Sequence, residues 1–310
     1  MLPGVVAKIA ETATGSVSLY QLVATPGFTI YYSSYDCRAS TVFYEQTNGP
    51  VVSLHYILTS GINYTVEGLG GGRLEEGHYT VLYAPNLQKE MRVEPGEKLT
   101  ILSVYLSVPF FAGMRYADSG YRHFLTEVQQ NHPVFFKPGR GEIAPPLLLM
   151  ILSLLRDNYE GDIRLRYLQA RLQGLLQLSV RYLAAPPAIA AADRVGYADG
   201  ERILQAIEYA RQYHHHQLYT VKELAEKTGL NEHRFRKGFK QLFGASVTEF
   251  LHDLKMEKAM HRVVSENKPL GEIGESLGYS SAESFITSFK KEFGVTPAAL
   301  KIYYRSKRNR

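Results

Sequence analysis

Along the 310 residues the spacing of apolar positions changes character at about residue 110 and again at about residue 145. Over the first part the apolar residues fall in short or alternating runs, as in SLHYILTS (53–60), TVLYAP (80–85) and LTILSVYLS (99–107). Such runs, rich in Val, Ile, Leu, Thr and Tyr, predict β-strands. EGLGGGRLEEG and EPGEK lie between them and supply turn chemistry. Several short strands at this spacing predict a small barrel or sandwich. Residues 118–142, with NHP and KPGRGE, show no period and predict irregular chain.

Helical spacing begins after Pro145 and Pro146. LLLMILSLLRDNY forms one helix, Gly161 and Asp162 break it, and IRLRYLQARLQGLLQLSVRYLA forms a second. In the second, Leu165, Leu168, Leu172, Leu175, Ser179 and Tyr182 alternate steps of three and four. That spacing fits the a/d seam of a short coiled coil and so predicts a homodimer held by Leu165, Leu168, Leu172 and Leu175. It equally fits a helix packed on its own barrel. Residues 186–200, within AAPPAIAAADRVGYADG, are rich in Ala, Pro and Gly and read as a linker.

The third part is helical and carries a repeat. FRKGFKQLFG at 235–244 returns as FITSFKKEFG at 285–294, each shared residue fifty positions from its twin. VKELAEKTGL at 221–230 likewise matches LGEIGESLGY at 270–279. The repeating unit is therefore a helix, a glycine turn and a second helix. Ala225 and Gly274 are small enough for the two helices to approach, and Gly229 and Gly278 reverse the chain. This is the layout of a helix-turn-helix, whose second helix enters a DNA major groove.

Within each second helix, Phe235, Phe239 and Leu242 (first copy) and Phe285, Phe289 and Phe293 (second copy) are expected inside. Opposite them lie His233, Arg236, Lys237 and Lys240, then Glu283, Ile286, Thr287 and Lys290. Asn231 and Ser281, where the two reading helices start, complete the expected DNA-contacting set. Arg and Lys donate to guanine edges and to phosphates. Ser280 with Glu283, and Ser246 with Glu249, read as capping boxes. The segment 245–267 reads as one rigid helix long enough to set the two reading helices into neighbouring major-groove segments.

Charge sharpens this picture. From residue 201 to 310 there are 19 Lys and Arg against 13 Asp and Glu, whereas residues 1–200 are nearly balanced. The positive excess thus sits on the repeat-bearing part, which suggests a polyanionic partner for that part.

These residues resemble the AraC/XylS family of bacterial transcription regulators over roughly 200–302, including the closing FGVTPAAL. GFKQLFGASVTEFL is especially similar to the subgroup of pyochelin and yersiniabactin regulators, which respond to ferric siderophores. Departures are Lys255 and Lys301, where the family commonly has Arg, and Gly274, where it has Ala. The resemblance implies an α+β chain. Its parts are a β-rich cupin-like sensor (1–142), a helical dimerisation segment (143–185), a linker (186–200) and an all-α tandem helix-turn-helix domain (201–310). It further implies promoter DNA, a small-molecule effector, RNA polymerase for an activator, and a homodimer as partners.

Other chemistries find little material. Metal-dependent cupins converge several ligands on one ion, but His55 and His78 are isolated. A cupin-type catalytic activity fused to a DNA-binding domain is the alternative for the N-terminal part. The HHH at 214–216 reads as a polar connection. Cys37, alone, reads as a small packed thiol, and the DNA-repair methyl-acceptor chemistry needs an activated thiolate with metal-site partners. No catalytic residue, cofactor or metal is expected. Neither a membrane span nor a signal peptide is read, so the expected location is the cytoplasm. Tyr20, Tyr31, Tyr32, Tyr35, Tyr44, Tyr56, Tyr64, Tyr79 and Tyr83 crowd the N-terminal part. They read as strand residues or as the wall of a pocket for a small aromatic ligand.

Overall fold

The computed structural model describes residues 6–12, 14–114, 119–137, 140–156, 159–184, 194–214 and 216–308. The chain divides into two units, Met1–Ala198 and Asp199–Arg310. Most of the linker expected at 186–200 lies outside the described residues.

The first unit opens with ten strands: β1 Val6–Thr12, β2 Gly15–Ala24, β3 Phe28–Cys37, β4 Thr41–Gln46, β5 Val51–Thr59, β6 Ile62–Val66, β7 Gly70–Leu74, β8 His78–Ala84, β9 Gln88–Val93 and β10 Lys98–Leu106. Helices α1 Val108–Gly113 and α2 Ser119–Gln129, short strands β11 Val134–Phe135 and β12 Gly141–Glu142, and helices α3 Pro145–Leu155 and α4 Gly161–Ala184 follow. One antiparallel sheet runs β1-β2-β3-β10-β5-β8-β11, with β12 also on β8, and a second runs β4-β9-β6-β7. Tyr35, Cys37, Ile57 and Ile101 of the first sheet pack with Ile62, Leu74, Met91 and Val93 of the second. Strands β5 and β10 are buried nearly throughout. That is why their sequences run apolar instead of alternating.

The region 118–142 is more ordered than its sequence suggested. Tyr121, Phe124 and Val128 are buried along α2, and the Tyr121 hydroxyl donates to the Phe111 carbonyl at 2.9 Å. Their spacing of three and four is helical. The flanking Gly, Asn and Pro obscured it.

The seam of α4 is spent inside the chain. Leu168, Leu172 and Leu175 are at most 1% exposed, and α4 packs on α3. Ser179 reaches the sheet, where its hydroxyl lies 2.7 Å from the Tyr56 hydroxyl and its carbonyl accepts from Tyr79 at 2.7 Å. A coiled-coil homodimer through these leucines is therefore a correction. A helix buries one stripe, and α3 and the sheet have taken it. Only Leu165 among the four is exposed.

The second unit consists of α5 Tyr197–Tyr213, α6 Val221–Thr228, α7 Glu232–Phe243, α8 Val247–Ser265, α9 Leu270–Ser276, α10 Ala282–Phe293 and α11 Pro297–Arg308. The Ser246–Glu249 capping box starts α8 as read from the sequence. Among the described residues no helix is long and apolar enough to cross a membrane.

Candidate functional site

Each helix-turn-helix is built by local rules. Thr220 and Glu223 close a reciprocal capping box at the start of α6, and Gly229 ends it at φ 66°. Asn231 then caps α7, its side-chain oxygen accepting from the Arg234 backbone N–H at 2.8 Å. A left-handed residue followed at once by a new cap is what turns the chain between two packed helices. The second copy repeats this with Gly278 at φ 77° and Ser281 capping α10.

Here two expectations change. The box at α10 is Ser281 with Ser284, not Ser280 with Glu283. Glu283 still serves the helix start, since its backbone N–H and the Ser281 hydroxyl hold its carboxyl below the usual carboxylate range. The side-chain oxygens of Asn231 and Ser281 likewise serve as caps, a use not expected of them.

The inward faces are aromatic. Phe235, Phe239, Phe285 and Phe289 are at most 2% exposed. Opposite them on α7, His233, Arg236, Lys237 and Lys240 are all exposed. Arg236 is already engaged. Its guanidinium meets Glu232 at 2.6 Å one turn back and Thr248 of α8 at 3.2 Å. On α10 the exposed positions are Glu283, Thr287, Lys290, Lys291 and Glu292. Ile286, expected outward, is only partly exposed and packs against the Phe285–Phe289 cluster. Phe293 packs on the same cluster but is only partly buried. Two of the three departures from the family pattern have uses: the Lys255 ammonium sits 3.8 Å over the Tyr279 ring, and Lys301 donates to the Lys268 carbonyl at 2.7 Å.

The first unit holds a cavity of about 490 Å³. Tyr31, Tyr35 and Tyr44 line it, together with Phe43 and Tyr105, whereas Tyr56, Tyr79 and Tyr83 are core residues. Glu45 of β4 opens on it and pairs across the strands with Lys89 of β9, Oε2 to Nζ at 2.7 Å. Lys89 also lies 3.2 Å from the ring of His55, which is 2% exposed and bonded to Ser103 and Ser53. Burial pushes the Glu45 carboxyl up, but the Lys89 and His55 neighbours outweigh it and leave the pKa at about 2. Burial, then the Lys89 charge, push the His55 ring down to about 3.

Sequence reasoning missed this cluster. Lys89 lies 44 residues from Glu45 and 34 from His55 along the chain, and the pairing of β4 with β9 is what sets it beside Glu45. Among the described residues no three His, Cys, Asp or Glu side chains converge as metal ligands. Cys37 is buried in the core. Of the histidine run, His214 is buried near Glu257, and His215 lies outside the described residues.

Residues 224–301 match a family model described as a helix-turn-helix domain. Over 95 residues the chain is 30% identical to the xylose operon regulatory protein of Escherichia coli (strain K12), covering 31% of this chain and 24% of that protein. Over 79 residues it is 30% identical to the bifunctional transcriptional activator/DNA repair enzyme AdaA of Bacillus subtilis (strain 168), covering 26% of this chain and 37% of that protein. The solved DNA-binding domain of AdpA in complex with a target DNA is 21% identical, with a TM-score of 0.31, over 35% of this chain and 97% of that one. The chain thus spans well under half the length of the two curated relatives.

Two packed helix pairs, each with a glycine turn and joined by one helix, define a tandem helix-turn-helix DNA-binding domain. That domain belongs to the AraC/XylS type.

Proposed function

We propose that the chain is a sequence-specific, promoter-binding transcription regulator, an activator that engages RNA polymerase and acts in the cytoplasm. A small molecule held in the first unit controls it. The observation that carries the DNA-binding half is the pairing of two helix-turn-helix units with an exposed row of His233, Arg236, Lys237 and Lys240. Helix α8, with 19 residues, is about 28 Å long at 1.5 Å per residue. Successive major-groove faces lie about 34 Å apart, so one chain can address two of them. The relatives named as regulators of the xylose operon and of transcription generally support the same reading. The effector half is supported by the aromatic cavity, whose size suits a small ligand.

The test for the first half is a gel-shift titration in which random duplex competes against the native promoter. Equal competition overturns sequence-specific regulation. For the second half, Thr29→Trp fills the cavity with an indole, and a promoter reporter carrying it is expected to lose its response to growth conditions. An intact response overturns the effector role.

A further inference from the structure

The cavity has a chemical polarity that narrows what it can hold. We propose that it binds an organic ammonium ion, a protonated amine carried on a flat apolar body. This rests on the reading of the cavity as the effector site.

The described lining contains no Lys, Arg or His, and one carboxylate, Glu45. Lys89, its partner, does not line the cavity. The pair is therefore a dipole with its negative end toward the ligand. Glu45 gives Oε2 to Lys89 and accepts a further hydrogen bond from the Tyr105 hydroxyl, and its side chain stays 19% exposed. The lining thus presents one carboxylate and no cation, the arrangement that a ligand ammonium meets in a charge-assisted contact. Glu45 remains ionised at neutral pH, as its low pKa requires, and His55 behind it stays neutral. No second positive charge offsets the carboxylate from that side.

The remaining wall suits the same ligand. Tyr31 and Tyr105 meet edge to face at 5.9 Å, and Tyr35 and Phe43 at 4.9 Å. Aromatic faces attract cations, and the effect strengthens where water is excluded. Met91 and Ile101 add apolar surface for the ligand's body. An anion such as a carboxylate, or a ferric catecholate chelate, would meet Glu45 with no cation to receive it. This polarity sets the cavity against the siderophore expectation raised by the helix-turn-helix sequence.

The experiment is calorimetric titration of the full chain at pH 7.5 with three near-isosteric probes: 2-phenylethylamine, 2-phenylethanol and phenylacetate. The amine is expected to bind about tenfold more tightly than the alcohol, which corresponds to one charge-assisted hydrogen bond. Phenylacetate is expected not to bind. The double variant Glu45→Gln/Lys89→Met removes both charges together, which avoids stranding one of them in the interior. In it the amine should lose its advantage over the alcohol. Equal or tighter binding of the alcohol or the acid to the natural chain overturns the proposal while leaving the effector role standing. Absence of amine binding, or an unchanged amine preference in the double variant, overturns it as well. The three-probe comparison decides the matter whether or not the variant folds.

Discussion

Gly274 faces Phe285 so closely that a Cβ added at Gly274 would lie 2.9 Å from the Phe285 Cβ. The contact is between α9 and α10, the two helices of the second helix-turn-helix, and the Phe285 atom is anchored to its backbone. Alanine here gains up to about 1 kcal/mol in helix propensity but forces an overpacked core costing about 1–3 kcal/mol. Gly274→Ala is therefore expected to destabilise the second unit by about 1 kcal/mol and to tilt α10. Urea unfolding checks the first effect and promoter affinity the second.

The first reading helix should carry more affinity than the second. Alanine at Arg236 and Lys237 together is expected to abolish promoter binding at physiological salt, each base-reading contact being worth about 1–3 kcal/mol. Alanine at Thr287 and Lys290 together should cost less, mostly at one end of the footprint. Ile286 is left out because it packs on the core. Since Glu232 holds Arg236 at 2.6 Å, Glu232→Gln should tighten DNA binding. Footprints of both double variants on one fragment test the asymmetry, and equal losses would defeat it.

Binding should fall steeply with salt. Each phosphate contact contributes about 0.9 to the log–log slope, so Lys240→Ala is expected to lower the slope by about that amount on every sequence alike. A change confined to one base position would instead make Lys240 a base reader.

The first unit should weaken in acid. His55 has a folded pKa of about 3 against an ordinary 6.5, so below pH 6.5 the unfolded chain takes up a proton that the folded chain refuses. Stability is then lost as pH falls from 6.5 towards 3, at up to about 1.4 kcal/mol per pH unit. Glu45, lowered to about 2, adds a loss of the same sign below about 4.5, its ordinary value. Unfolding at pH 7.5, 6.5 and 5.5 measures the slope. His55→Gln should remove the part between 6.5 and 5.5, and an unchanged slope would assign it elsewhere.

Leu172 of α4 is fully buried within its own chain. Leu172→Ala is expected to cost about 2–5 kcal/mol of stability, as a large-to-small change in a core does. Sedimentation and unfolding at several protein concentrations check this. A loss that depends on concentration would restore the helix to an interface between subunits.

The second unit was almost wholly legible before any coordinates. In both copies a glycine at positive φ precedes a side-chain cap on the second helix, although α9, unlike α6, starts without one. Local chemistry specifies such elements because caps, turns and i to i+4 stripes all lie within a few residues. The exposed row on α7 followed from the same periodicity. The position of the cap at α10 did not, since Ser280 and Ser281 both suit it and the helix starts from the second.

The first unit yielded its strands but not its site. Alternation marks a strand and its turn, yet pairing is a matter of register between distant segments, and the sequence has no local record of it. Hence Glu45, His55 and Lys89 appeared as unrelated residues until β4 paired with β9 and that sheet packed against β5 of the other. The seam of α4 shows the same limit. Its spacing prescribed a buried stripe, but whether a partner helix or the chain's own sheet would bury it depended on which surface lay nearest after folding. The sheet was covalently attached and already apolar, so it claimed the stripe without the entropy cost of bringing two chains together.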